Sequence, residues 1–316
     1  MANSERMTGS GEVVLELLPC PPYSFDLVLE YLASSPSSVL EVVDVAAHSY
    51  ERALCINGAN LVLAVRSTGN VDSPRLELRV QGGALTPVQI EAARHHVNRI
   101  FLLDVDPLPF LAVADRDPVL GQLVRSLSGV RPLLVADPYE ALIFAIVGQQ
   151  VNITFARRLK LALIEHFGER VLINGVERLI LPEPERIAAL DQSELLALQF
   201  SRQKASYLIG LSQAISTGDL NLESLSDLPF HEAIARLMRH RGIGRWTAEY
   251  VMMRGLGASD SIPAGDLGLQ KIIGRAYGLG RTASEKEVRA IAEAWAGWRG
   301  WAAFLWWWEL QLNGLG

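Results

Sequence analysis

Two hydrophobic periodicities divide the chain. Arg75 to Gln81 (RLELRVQ) alternates polar and apolar side chains without a break, which predicts a half-buried strand. Leu61 to Ser67 (LVLAVRS) predicts its partner, with a turn region at Gly69-Asn70 between them. The stretches SFDLVLEYLASS and TPVQIEAARHHVNRIF carry helical spacing instead, the second opened by Thr86 with Pro87 at the first helical position. Residues 1–112 are therefore expected to form an α+β domain built on an antiparallel sheet, and Asp104 to Asp117, with Pro107 and Pro109 close together, is the expected crossing point. From about residue 117 onward the spacing is almost entirely helical. Asp137-Pro138-Tyr139-Glu140 combines a capping acid, a first-turn proline and a glutamate three residues on, a start signal for ALIFAIVGQQ. ITFARRLKLALIEHF runs to Gly168, which suits a left-handed C-cap, and LPEPE (Leu181 to Glu185) then breaks the pattern. Residues 113–316 are read as an all-helical domain in two parts.

Composition narrows the class. With 316 residues, 49% hydrophobic and 20% charged, the chain has apolar material for two or three domains and is neither a disordered tail nor a stapled mini-scaffold. MANSERMTGSGE lacks the basic flank and apolar core of a signal peptide, and no apolar run approaches a membrane span, so no membrane partner is expected. Two cysteines, Cys20 and Cys55, make neither a disulfide framework nor a cluster site, and the six histidines form no ligand spacing. No metal and no cofactor is expected, and the setting is a reduced bacterial-type cytoplasm.

The net charge of −6 argues at first against a polyanionic partner, but the acid is concentrated early. Residues 1–125 hold 15 acids against 9 Lys/Arg, and the remainder has 20 of each. From Arg236 to Arg275 seven basic residues (Arg236, Arg239, Arg241, Arg245, Arg254, Lys271, Arg275) face three acids, a modest basic footprint of the kind that touches few phosphates.

Within that footprint LMRHRGIGRWTAEYVMMRG reads as two helices, at about residues 230–256, joined by a Gly242-Ile243-Gly244 hairpin. Open backbone N–H groups at such a hairpin can hold a phosphate. Downstream, SIPAGDLGLQK places Asp266 at the entrance of the next helix. One reading makes Asp266 an N-cap for LGLQKIIG; the other makes it a carboxylate facing a sugar held by the hairpin. All seven tryptophans lie between Trp246 and Trp308, and WWW is too dense for one helix stripe, because consecutive residues point about 100° apart. Trp306 and Trp308 are read as core.

These motifs resemble the helix-hairpin-helix DNA glycosylases, and within them the bacterial inducible type II 3-methyladenine DNA glycosylases. GIGRWTAEY, the acid within PAGDLGLQK, and WRGWAAFLWW carry the likeness, with AIVGQQVNITFARRL, SRQKASYLIGL and, more weakly, PPYSFDLVLEYL upstream. The resemblance implies excision of alkylated bases from double-stranded DNA by a monomer associated with the nucleoid, with Asp266 as the catalytic acid. It implies a base pocket of Trp246, Tyr250, Trp307, Gln149 and Tyr31. It implies DNA contacts at Gly242, Gly244, Arg245 and Thr247, with Gln150 entering the gap left by a flipped nucleotide. Relatives that also cut the backbone carry a lysine where this chain has Trp246, which implies a monofunctional enzyme. Two positions depart from the pattern: Gln150 replaces an apolar wedge, and Leu267 replaces an aromatic beside the acid. The rival readings are a glycosylase for oxidised, deaminated or mismatched bases, and a non-catalytic DNA-damage binder.

Overall fold

The computed structural model describes residues 6–7, 11–34 and 39–314; most of the stretch weighed above as a leader lies outside the described residues. Six strands form one antiparallel sheet: β1 (Arg6–Met7), β2 (Glu12–Leu17), β3 (Glu41–Asp44), β4 (Ser49–Ile56), β5 (Ala59–Ser67) and β6 (Leu76–Gln81), in the order β1-β2-β6-β5-β4-β3. The two strands expected from alternation pair directly, Val65 opposite Leu78, and the alternating Leu76, Leu78 and Val80 are fully buried. Against this inner face pack the helices Phe25–Ala33, capped by Ser24, and Pro87–Phe101, opened by the Thr86–Gln89 capping box.

The sheet core does not end with the sheet. The same buried cluster takes in Phe110, Leu120 and Leu133, and then Ile272, Trp301, Phe304 and Trp308 from the last helices of the chain. A second cluster is made by residues 139–252 alone. The expected meeting point at residues 112 and 113 lies within the short helix Leu108–Ala114, which follows Pro107 at its N-cap. Packing thus groups the C-terminal helices with the sheet and sets the middle helices apart. Asp117 helps fix this return: it caps Pro118–Ser126, accepts from Tyr277 Oη at 2.6 Å and accepts from Trp295 Nε1 at 2.9 Å.

Three local expectations are corrected. Glu140 does not return to its own cap; it is buried and takes Arg52 Nη2 of β4 at 2.6 Å, pinning the helix Pro138–Gly148 to the sheet. Gly168 is extended, with φ −64°, and its small size is required instead because a Cβ there would lie 2.4 Å from the Ile164 carbonyl oxygen. The helical half also contains a hairpin, β7 (Glu169–Ile173) and β8 (Val176–Ile180), turning at Asn174-Gly175. Its Val171, Ile173 and Ile180 cover Ala53 and Val62 on the outer face of the sheet, which explains a strand pair inside a helical run.

Candidate active site

The glycine hairpin connects the helix Phe230–Leu237 to Arg245–Tyr250, which continues as a π-helical turn over Val251–Gly255. Gly242 has φ +98°, and a Cβ there would sit 2.5 Å from the Tyr207 ring, so both conformation and space demand glycine. Gly244 is the helix N-cap; nothing lies within 4 Å of where its Cβ would be, and no side chain caps the first turn. The first turn after the hairpin is thus left without a side-chain cap, while Ile243 is buried and its N–H is bonded to the His240 carbonyl.

Gln149 ties this hairpin to the helix Pro138–Gly148: its Nε2 donates to the Gly242 carbonyl at 2.8 Å and to Thr247 Oγ1 at 3.0 Å. Thr247, expected among the DNA contacts, is buried, with its hydroxyl held from within by Gln149. Arg245 is exposed, its Nε bonded at 2.9 Å to a buried Glu249 that Arg289 also holds at 2.9 Å. Arg236, Arg239, Arg241, Lys271 and Arg275 are exposed; Arg254 is half-buried, its guanidinium over the Phe304 ring. Gln150 is exposed at the tip between two helices with φ +54°, a strained conformation for a non-glycine residue.

Asp266 is indeed an N-cap, of the helix Leu267–Ala276, accepting from the Leu269 backbone N–H at 2.8 Å through Oδ1. The same Oδ1 accepts from the Trp307 indole Nε1 at 3.0 Å. Oδ2 accepts no hydrogen bond from the described residues. Asp266 thus caps its helix through one carboxylate oxygen and keeps the other without a donor among the described residues. From Trp307 an aromatic row continues to Tyr250, 6.0 Å between centroids, and on to Trp246 at 5.6 Å, all three rings half-buried. Burial, the largest influence, raises the Tyr250 hydroxyl above its ordinary range, so it stays a neutral donor. Leu267 is exposed and adds no ring beside the acid.

Behind Tyr250 lies a cavity of about 230 Å³ between the sheet and the helices, lined among others by Tyr31, Phe144, Lys160 and Arg254. Tyr31 reaches it from the N-terminal part while stacking on Trp308 at 4.6 Å. Trp306 and Trp308 are core, as their crowding required. Lys160 is not singled out by the sequence and Arg254 only as part of the basic footprint; the local pattern around each carries no sign that the opposite wall is the sheet.

A glycine hairpin followed by an acid at the entrance of the next helix defines a class, and the comparisons name it. The model of the HhH-GPD superfamily of base excision DNA repair proteins matches residues 143–297. The chain belongs to this family. It is 34% identical to the DNA-3-methyladenine glycosylase of Bacillus subtilis over 67% of this chain and 70% of that one. It is 30% identical to DNA-3-methyladenine glycosylase 2 of Escherichia coli over 89% of this chain and 92% of that one. Its fold matches that of a 3-methyladenine DNA glycosylase from Archaeoglobus fulgidus with a TM-score of 0.82 at 24% identity, covering 94% and 99% of the two chains. No described helix is long and apolar enough to cross a membrane.

Proposed function

We propose that this chain is a monofunctional DNA glycosylase that releases alkylated purines, 3-methyladenine and 7-methylguanine among them, from double-stranded DNA. The observation that carries the reading is the division of labour on Asp266: two N–H donors fix Oδ1, while Oδ2 takes none from the described residues and is available to a sugar. The hairpin N–H groups hold a backbone phosphate, and the damaged nucleotide turns out of the stack toward the aromatic row. Alkylation at N3 or N7 already makes the purine cationic, so it departs as a neutral base once the N-glycosidic bond breaks. The Oδ2 charge stabilises the cation-like sugar that remains, most strongly in a site with little water. Water then adds to C1′ and loses a proton, leaving an abasic site in an intact strand.

Stacking on electron-rich rings favours a cationic base and asks for little else. Gln150, exposed and strained at its tip, is the side chain that enters the gap left by the extruded nucleotide. One chain supplies every group named, and it acts as a monomer alongside the bacterial chromosome. The test is to incubate the protein with a methylated duplex and to chromatograph the released bases. Free 3-methyladenine and 7-methylguanine, with alkali-labile sites left in the DNA, support the proposal; tight binding to damaged duplex with no base released contradicts it.

A further inference from the structure

The cavity behind Tyr250 has a wall with one conspicuous charge. Glu140 is paired with Arg52 at 2.6 Å, and Glu41 is held at 3.0 Å by both Arg52 and Tyr50 Oη. Arg254 lies over Phe304, its guanidinium carbon 5.0 Å from the ring centroid. Lys160 is different: its Nζ sits 3.4 Å from the Phe144 ring centroid, and among the described residues no acceptor takes a hydrogen bond from it. Its ammonium lines the cavity's empty space with three N–H donors. Burial, only partly opposed by Glu140 and Glu41, brings its ammonium down to about 8. A half-buried ammonium whose protein partner is an aromatic face keeps its N–H donors available to a ligand that supplies an acceptor.

The cavity is smaller than the ~300–1,000 Å³ of a drug-sized site and suits one planar heterocycle. Tyr250 belongs both to its lining and to the aromatic row that ends at Trp307 and Asp266. A purine seated with N9 at Asp266 and its face on Tyr250 would carry its 6-substituent, across the ring system from N9, toward the space that Tyr250 also lines. Adenines carry an amino donor there, which an ammonium cannot pair with; guanines carry a carbonyl acceptor, which it can.

We propose that Lys160 is a specificity-determining residue of the base pocket: its ammonium donates to the C6 carbonyl oxygen of an extruded purine and favours alkylated guanines over alkylated adenines. This rests on the glycosylase reading above. The Lys160–carbonyl bond is charge-assisted, and a matched base without the carbonyl leaves the donor unpaired.

The matched pair for the test is 3-methylguanine and 3-methyladenine, which share the damaged position and differ at position 6. Their single-turnover release from one methylated duplex is measured for wild type, Lys160→Met and Lys160→Gln, with a thermal melt of each protein. The ratio of 3-methylguanine to 3-methyladenine release is expected to fall about tenfold in Lys160→Met. It should fall also in Lys160→Gln, whose amide offers both a donor and an acceptor and which serves should the Met variant melt early. Equal loss on both bases, or an unchanged ratio, overturns the assignment even though the enzyme is active. Release of neither base by wild type overturns the glycosylase reading itself, and this inference with it.

Discussion

Trp307 Nε1 and the Leu269 backbone N–H both end on Oδ1 of Asp266, at 3.0 and 2.8 Å. The tryptophan assigned to the base pocket therefore also holds the proposed catalytic carboxylate in place. Stacking and positioning are then separable by substitution, because only the indole N–H does the second.

Trp307→Phe keeps an aromatic face and removes the N–H. A hydrogen bond to a charged group contributes about 1.5–3 kcal/mol, so single-turnover excision should fall about ten- to a hundredfold. The loss should be alike on cationic 7-methylguanine and neutral hypoxanthine, since Asp266 serves both. Trp307→Leu should lose more on the cationic base, by a cation–π share of about 0.5–2 kcal/mol. Single-turnover rates on both bases, with melting curves, decide it; equal losses for the Leu variant together with a collapsed melting temperature would make Trp307 structural only.

Product chemistry follows from Trp246. If the resemblance holds in placing Trp246 at the position of the sugar-attacking lysine of strand-cleaving glycosylases, borohydride should trap no covalent protein–DNA adduct, and breaks should appear only after alkali or heat. Lys160 is the amine to examine first if an adduct forms, because its ammonium is already drawn down to about 8. Denaturing electrophoresis of a borohydride-treated reaction gives the answer, and a shifted band contradicts the monofunctional reading.

His96 makes acid stability measurable. Burial first, then the neighbouring Arg99, lowers its imidazole from 6.5 to about 4. The unfolded chain thus binds a proton between pH 6.5 and pH 4 that the folded chain refuses, so stability falls as pH falls through that window and the penalty is complete below it. Melting temperatures taken from pH 7 to pH 5, above most carboxylate titrations, should decline for wild type and stay flatter for His96→Gln. Parallel curves would show that other groups carry the acid sensitivity.

Much of this site can be read locally. The Gly242 turn, the Asp266 cap and the Thr86 and Asp137 helix starts are short-range devices, each satisfied within a few residues, and the structure keeps them. What the sequence hides depends on distant partners. Glu140 looks like a capping residue until Arg52, 88 positions away, takes it. Nothing local marks Thr247 as buried until Gln149 reaches it across the hairpin. Asn174-Gly175 is a strong turn signal, but its flanking Leu172 and Val176 are exposed, so the alternation expected of a buried strand is blurred. Lys160 becomes notable only when the sheet closes the cavity opposite it.

The central claim is that the charge on Asp266, rather than its cap, drives base loss, and Asp266→Asn separates the two. The amide oxygen can still accept from Leu269 and Trp307, so the helix start and the fold are retained, while the charge facing the sugar is gone. The decisive measurement is single-turnover release of 3-methyladenine from a methylated duplex by the folded variant, with DNA affinity measured alongside. Excision should be abolished while affinity stays within a few fold of wild type; release at the wild-type rate by a folded Asp266→Asn protein would reduce Asp266 to a helix cap and contradict the account.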